Sequence, residues 1–406
     1  MDILSRLTEP AQWEQFFTYK KEGGHLLHWE EKELARFIEE ARYLPVVARI
    51  RSAEAFPPPK KSAISKMNSD KKRIVYTYPA DENDVLKLMT YLLLRKYDHY
   101  FSDNLYSFRS GRSPKDAIRR LSRTPGIGQM WSYKADISDY FNSIPVERML
   151  PILEQVLSQE SELYQFLAGL LTNPLVNDRG NLVKERKGIM AGTPISTFLA
   201  NLYLSELDDH FRRKNRIYAR YSDDIILFSP FQEELEQDIA FIHQFLADAG
   251  LTINPRKENR TGPGEQWIFL GFSFKDGVTD IAPASIEKLK GKMRRKTRAL
   301  MRWKDRKGAT GPNAAKAFIR TFNRKLFEET PEHDLTWARW YFPAITTADS
   351  LRVIDQYAQN CIRYLATGKH TQSAYNFRYE DMKQIGYVSL VNRYYSYHPD
   401  NPKETG

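Results

Sequence analysis

Apolar and polar positions along this 406-residue chain follow two periods, and the switches between them outline the elements. The first 45 residues recur at helical spacing, most clearly over residues 29–38, and Pro45 is expected to close that region. Residues 56–61, Phe-Pro-Pro-Pro-Lys-Lys, make a poor strand interior and predict a loop. Residues 73–78 read as a strand running into Pro79. Residues 81–97 return to helix, with Val85, Leu86, Leu88 and Met89 as the apolar stripe. The centre then alternates. A short strand is predicted over 132–137, helix over most of 146–171, and a second helix over 196–211. A strand at 217–221 turns at Ser222-Asp223 into a hairpin partner at 225–228. Helix follows over 233–249, stopped by Gly250, and a further strand over 267–274. This order predicts an α+β core containing an antiparallel hairpin.

After residue 284 the pattern changes. Ile286, Leu289, Met293, Leu300 and Met301 recur at near-helical spacing, with Lys288, Lys290, Lys292, Arg294, Arg295, Lys296 and Arg298 between them. Gly308 and Gly311-Pro312 interrupt the run. Ala315, Phe318, Ile319 and Phe322 mark a second helix, and Leu351, Ile354, Ala358, Cys361, Ile362 and Leu365 a third. A small helical domain with a strongly basic first member is expected.

Composition narrows the function classes. The 61 Lys and Arg against 51 Asp and Glu give a formal charge of +10, which favours a polyanionic partner, although ordinary solubility charge accounts for it too. One cysteine excludes an internal disulfide and a cysteine-rich zinc module. The apolar runs, such as Tyr91-Leu92-Leu93-Leu94, are too short to span a bilayer, and residues 1–6 do not open a signal peptide. A cytoplasmic protein without membrane association is expected. The length allows two or three cores, and no internal repeat is visible.

The chemistry lies in two acidic strings, Lys134-Ala135-Asp136-Ile137-Ser138-Asp139-Tyr140-Phe141 and Tyr221-Ser222-Asp223-Asp224. Each sits where apolar residues announce a buried strand. Three carboxylates on neighbouring strand ends cannot share a low-dielectric site without a compensating cation. Two magnesium ions, for which manganese can substitute, would provide it, and two-metal chemistry is that of polymerases. Taken alone, Asp223-Asp224 reads more readily as an ordinary turn pair, because short motifs match often by chance.

The combination of motifs is more specific. Over nearly its whole length the chain resembles the bacterial reverse transcriptases of group II intron and retron type. Lys72-Arg73-Ile74-Val75 with Pro79 resembles the first block of that family, and Tyr106-Ser107-Phe108-Arg109-Ser110-Gly111-Arg112-Ser113 the second. Asp136 through Phe141 is similar to the palm block, and Gly192-Thr193-Pro194-Ile195-Ser196 continuing to Leu204 to the block after it. Tyr221-Ser222-Asp223-Asp224 resembles the YxDD box, Gly250 through Asn254 with Lys257 the next block, and Phe269-Leu270-Gly271-Phe272 the primer grip.

The resemblance implies a right-hand polymerase: an N-terminal extension and fingers (1–127), an antiparallel-sheet palm (128–284, with a fingers-proximal helical segment at about 146–190), a helical thumb (285–368) and a C-terminal tail (369–406). It implies metal binding by Asp136, the Ile137 carbonyl, Asp223 and Asp224. Lys72 and Arg73 would hold incoming phosphates, or simply be an exposed charge pair at a strand edge. Phe141 would crowd a ribose 2′-hydroxyl as a steric gate; a plain core phenylalanine is the alternative. Ala191 and Tyr221 would line the nucleotide pocket. Lys257 is a candidate general acid for the leaving pyrophosphate, with a surface lysine nearly as good an account. Arg109 and Arg112 would order the fingers or touch template phosphate, Gly271 would allow close backbone approach at the primer end, and Lys288, Lys292 and Arg295 would track phosphates.

The chain also departs from that family. Met190-Ala191-Gly192 stands where proline-glutamine-glycine is usual, Ser110 replaces a proline, and Val278-Thr279-Asp280 is the nearest stretch to the retron valine-threonine-glycine box. Nothing after residue 367 resembles a zinc-bearing endonuclease. These departures point to a stand-alone enzyme in antiphage defence or a domesticated role. It would copy an RNA template, for which a dedicated noncoding RNA is a candidate, from a DNA or RNA primer with deoxynucleoside triphosphates. The alternatives are template-independent or protein-primed synthesis, and a non-catalytic, maturase-like RNA-binding protein. Oligomeric state is left open.

Overall fold

Eleven strands and a larger helical complement make up an α+β protein, described here from a computed structural model over residues 2–22, 26–65, 72–327 and 336–398. The strands are β1 (Lys60–Ser65), β2 (Lys72–Thr77), β3 (Trp131–Asp136), β4 (Leu175–Asp178), β5 (Asn181–Lys184), β6 (Ile217–Tyr221), β7 (Asp224–Ser229), β8 (Asn259–Thr261), β9 (Trp267–Phe269), β10 (Phe272–Lys275) and β11 (Val278–Ile281). The chain divides into two units: Met1–Ala117 with Gln129–Pro263, and Ile118–Gly128 with Gly264–Gly406.

The first unit holds two four-stranded sheets. One has the order β6-β7-β3-β8 and is antiparallel throughout. Strand β7 is apolar on both faces, with Ile225, Ile226 and Leu227 fully buried, while β3 buries Tyr133 and Ala135 on one face. Burial on both faces explains why β7 reads as a near-continuous apolar run rather than an alternating one. The other sheet, β2-β1-β4-β5, pairs β1 and β2 antiparallel from Lys60 opposite Thr77 to Ser65 opposite Lys72. Helix Ala80–Lys96 buries Val85, Leu86, Leu88 and Met89, the stripe expected from sequence, together with Leu92 and Leu93.

Several element boundaries differ from expectation. Pro45 does not close a helix. It lies in the first turn of helix Tyr43–Arg51, where its missing N–H has no intrahelical acceptor to lose. Lys60 and Lys61, expected in a loop, open β1, because only the three prolines before them are unfit for a ladder. The helical stretch at 146–171 is two helices, Val146–Val156 and Ser161–Thr172, and that at 196–211 is Ser196–Tyr203 followed by Ser205–Arg213. The strand expected over 267–274 is a hairpin. Leu270 and Gly271, at φ 50° and 85°, turn the chain between β9 and β10. The β4–β5 hairpin was not anticipated, since its four-residue strands are too short for alternation to register.

The second unit has the antiparallel sheet β11-β10-β9 and the helices expected after residue 284. Helix Pro283–Lys307 buries Leu289, Met293 and Leu300 and ends at Gly308, whose φ is 60°. Helices Gly311–Phe327 and Asp349–Thr367 complete the bundle, the latter burying Cys361. The C-terminal segment is fastened to it by the Asp355 carboxylate, which accepts from Tyr387 Oη, Ser389 Oγ and the amides of Leu390 and Val391. Residues 399–406 of the expected tail lie outside the described residues. Among the described residues no helix is long and apolar enough to cross a membrane.

Candidate active site

The β3–β7 register sets the geometry of the acidic cluster. Asp136 closes β3 directly opposite Asp224, the first residue of β7. Directly opposed residues in an antiparallel pair stand about 4.5–5.5 Å apart, so the two carboxylates are neighbours by construction. Asp223 occupies the two-residue turn between β6 and β7, and its carbonyl accepts the Ile137 amide at 3.0 Å. Sequence reading thus placed Asp136, Ile137, Asp223 and Asp224 on adjoining strand ends, and the fold brings all four together.

The turn is held from beneath. Ser222 has φ 58°, the left-handed region that a small polar side chain tolerates better than a bulky one. Its amide donates to Ser107 Oγ at 2.9 Å, and its carbonyl accepts from Arg220 Nη1 at 3.1 Å. Arg220 is fully buried and bidentate to Asp208, at 2.8 and 2.6 Å. Ser107 in turn donates to Asn201 Oδ1 at 3.0 Å, while Asn201 returns a bond to the Ser107 carbonyl at 2.8 Å. Sequence reading missed Arg220, Asp208 and Asn201. A basic residue in the middle of an apolar strand was the available signal, since such a charge must have a buried partner. Nothing in the pattern identified that partner.

Electrostatics at the cluster is dominated by burial and like charge. Burial raises the Asp223 carboxyl above the ordinary value, with the Asp136 charge adding to it. Burial likewise pushes Asp224 up to about 6, against the nearby Lys134, with Asp223 and Asp136 adding. Lys257 Nζ donates to Asp136 Oδ2 at 2.6 Å. Burial acts against that ammonium, but the Asp136 bond and the charges of all three aspartates hold it above its usual value.

This donor set fits a hard divalent cation: carboxylate oxygens with two members that like charge and burial destabilise as anions. Among the described residues no group of three or more His, Cys, Asp or Glu side chains is drawn together tightly enough to hold a metal. Asp136, Asp223 and Asp224 are the carboxylates at these strand ends that could hold such ions.

Beside the cluster lies a cavity of about 660 Å³ lined by Arg73, Phe141, Ala191 and Tyr221, among others. Phe141 is 8 % exposed and is one of the residues lining the cavity. Phe108 lies 6.4 Å from it and 6.3 Å from Tyr221, centroid to centroid. Lys72 and Arg73 are exposed at the start of β2, and the Arg73 charge reaches Asp223. Arg109 is bound internally. Its guanidinium donates to Asp98 at 2.8 and 2.9 Å and to the Ser102 carbonyl at 2.7 Å, so it orders this segment from within. Arg112 pairs with Asp103 and donates to its carbonyl at 2.7 Å. Helix Pro10–Glu22 contributes Phe16, Tyr19 and Lys20 to the same cavity, which no motif announced.

In the second unit, a Cβ on Gly271 would lie 3.1 Å from Tyr341 Oη and 3.2 Å from Ser285 Oγ. The close approach expected there is made by these two side chains. Lys288, Lys292 and Arg295 lie on helix Pro283–Lys307. Burial, then Lys325, Lys288 and Arg295, hold the Lys292 ammonium below its usual value, the mark of a crowded positive face.

A profile of the reverse transcriptase (RNA-dependent DNA polymerase) family matches residues 59–274, which include every residue of the acidic cluster. The chain belongs to this family. Its α+β architecture is the fingers–palm–thumb fold of reverse transcriptases. No curated protein sequence matches the chain. Among solved structures, apo telomerase from Candida tropicalis is similar at 10 % identity and a TM-score of 0.49, covering 84 % of this chain and 61 % of that one. Telomerase from Candida albicans in complex with a fragment of telomeric RNA is similar at 14 % identity and a TM-score of 0.45, covering 87 % and 64 %. This reverse transcriptase chain spans between 55 % and 64 % of the telomerase chains it matches. At TM-scores below 0.5 these likenesses add nothing to what the family profile establishes.

Proposed function

We propose that this chain is an RNA-directed DNA polymerase that adds deoxynucleotides to a primer 3′-hydroxyl. The observation that carries the proposal is Asp136 opposite Asp224 across β3 and β7, with Asp223 at the adjoining turn, beside a cavity large enough for a nucleotide. Asp136, Asp223, Asp224 and the Ile137 carbonyl would hold two magnesium or manganese ions. When bound, the ions supply the charge that sharpens the hydroxyl nucleophile and stabilises departing pyrophosphate.

The remaining roles belong to the chain. Arg73 on the cavity wall, with Lys72 preceding it in β2, would offer positive charge to the triphosphate, and Phe141 would crowd the sugar 2′ position. Tyr221 and Ala191 form walls of the pocket. Lys257, protonated at neutral pH, holds a proton that it can give to pyrophosphate. Lys288, Lys292 and Arg295 offer a phosphate-tracking face to template and primer. The fingers, palm, thumb and tail would follow the ranges 1–127, 128–284, 285–368 and 369–406.

Purified protein supplied with primed RNA, deoxynucleotides and magnesium should extend the primer. Asp223→Ala should abolish extension while leaving the melting temperature and RNA affinity near wild type. Extension by that variant would end the proposal.

A second mode is favoured by Ala191, whose methyl group brings no amide to the pocket: template-independent or protein-primed synthesis. Sequencing the product separates the two, since a copy of the supplied RNA defeats the second mode. A non-catalytic RNA-binding protein is disfavoured by three adjoining carboxylates that repel one another without a cation. We further propose a role in bacterial antiphage defence or a related domesticated process, with a dedicated noncoding RNA as template. Sequencing the nucleic acid that copurifies from the native host tests this role, and random cellular RNA alone would oppose it.

A further inference from the structure

We propose that Asn142 is the positioning residue that fixes the width of the nucleotide pocket, and so sets selectivity between deoxy- and ribonucleotides. The inference rests on the polymerase reading above.

Asn142 follows Phe141 in the short helix Tyr140–Ser143, and its side chain bonds to two other segments and to the N-cap residue of its own helix. Its Oδ1 accepts the Ala191 amide at 3.1 Å. Its Nδ2 donates to the Ile74 carbonyl of β2 at 3.3 Å and to Asp139 Oδ1 at 3.2 Å. One amide thus ties the candidate gate to the strand carrying Arg73 and to the pocket wall at Ala191. A carboxamide suits this place because it offers an acceptor and two donors in one plane.

The ties are reinforced by backbone contacts that leave little slack. The Ala191 carbonyl accepts from the Tyr76 amide at 2.7 Å, so Ala191 is held from β2 on one side and from Asn142 on the other. The Ile189 amide donates to the Phe141 carbonyl at 2.9 Å. Gly188, with φ 52°, lets the same loop come so near that a Cβ there would lie 2.6 Å from the Phe141 carbonyl oxygen and the Asn142 carbonyl. With Ala191 presenting only a methyl, no long side chain at that position holds the wall. The Asn142 bridge acts together with these backbone bonds in setting the distance between Phe141 and the facing wall.

Removing the bridge leaves the Ala191 amide and the Ile74 carbonyl without these part-buried partners and loosens β2 and the 187–192 loop about Phe141. Looser walls admit a 2′-hydroxyl and hold the correct nucleotide less well. In Asn142→Ala we expect KM for dGTP to rise about tenfold, kcat to stay within about threefold, and the dGTP-to-GTP preference in kcat/KM to fall about tenfold. Asn142→Asp keeps the acceptor for Ala191 but cannot donate to Ile74, and its preference should lie between wild type and Asn142→Ala.

Unchanged KM and preference in Asn142→Ala, with or without a lower melting temperature, would mark a purely structural asparagine and overturn the inference. So would a fall confined to kcat. Should wild type extend no primer at all, the polymerase reading fails separately. Calorimetric affinities for dGTP and GTP then decide: a preference for dGTP that weakens in Asn142→Ala supports the inference, and equal affinities in both proteins overturn it.

Discussion

Arg220 and Asp208 form a bidentate ion pair from which solvent is excluded on both sides, and the same guanidinium holds the Ser222 carbonyl of the acidic turn. The turn geometry at Asp223 therefore depends on a charge pair in a strand and a helix that never touch a substrate. Breaking a buried pair leaves an uncompensated charge, which costs roughly 3–5 kcal/mol. Arg220→Met should lower stability by that order and depress extension beyond the stability effect. Joining it with Asp208→Leu should recover part of the stability without recovering activity. Urea unfolding of the two single variants and the double variant checks this. Additive losses would show that the pair is not coupled.

The Phe141 ring borders the cavity beside the aspartates. Phe141→Ala should raise the use of ribonucleotides about tenfold or more relative to deoxynucleotides, with deoxynucleotide extension persisting. Single-nucleotide kinetics with dGTP and GTP measure it. A variant that loses stability but keeps its preference would make Phe141 an ordinary core residue.

Lys187 is 3 % exposed, and its Nζ has no hydrogen-bond partner. Burial lowers its pKa to about 8, against the nearby charge of Glu185. A folded value below the unfolded one means that the unfolded chain binds more protons between pH 8 and about 10.5, so stability rises with pH across that window. Below pH 8 the full penalty stands, up to about 3 kcal/mol. Lys187→Met should be more stable than wild type at pH 7, and the gap should close as pH approaches 10. A constant gap across that range would show that the ammonium carries no such penalty.

The crowded cations on helix Pro283–Lys307 predict a salt effect. Replacing Lys288 and Lys292 with alanine should weaken RNA affinity at low salt. It should also reduce the slope of log affinity against log salt by about 0.7–0.9 for each phosphate that is no longer neutralised. Fluorescence anisotropy over a salt series reads both. An unchanged slope would place these lysines away from nucleic acid.

Chain order alone made the candidate site legible. Lys72, Arg73, Asp136, Phe141, Tyr221, Asp223, Asp224 and Lys257 sit in local strings whose residue types are themselves the signal, and β7 was evident because a strand buried on both faces is an apolar run. Tertiary structure alone decided what holds those strings in place. Asn142 reaches Ile74 and Ala191, Arg220 reaches Asp208, and helix Pro10–Glu22 reaches the cavity, each across a separation that no local pattern records. Hydrophobic periodicity reports which face of an element is buried; it carries no information about which distant polar group meets a buried donor. That pairing is settled only when the chain closes on itself and every desolvated polar group must find a partner.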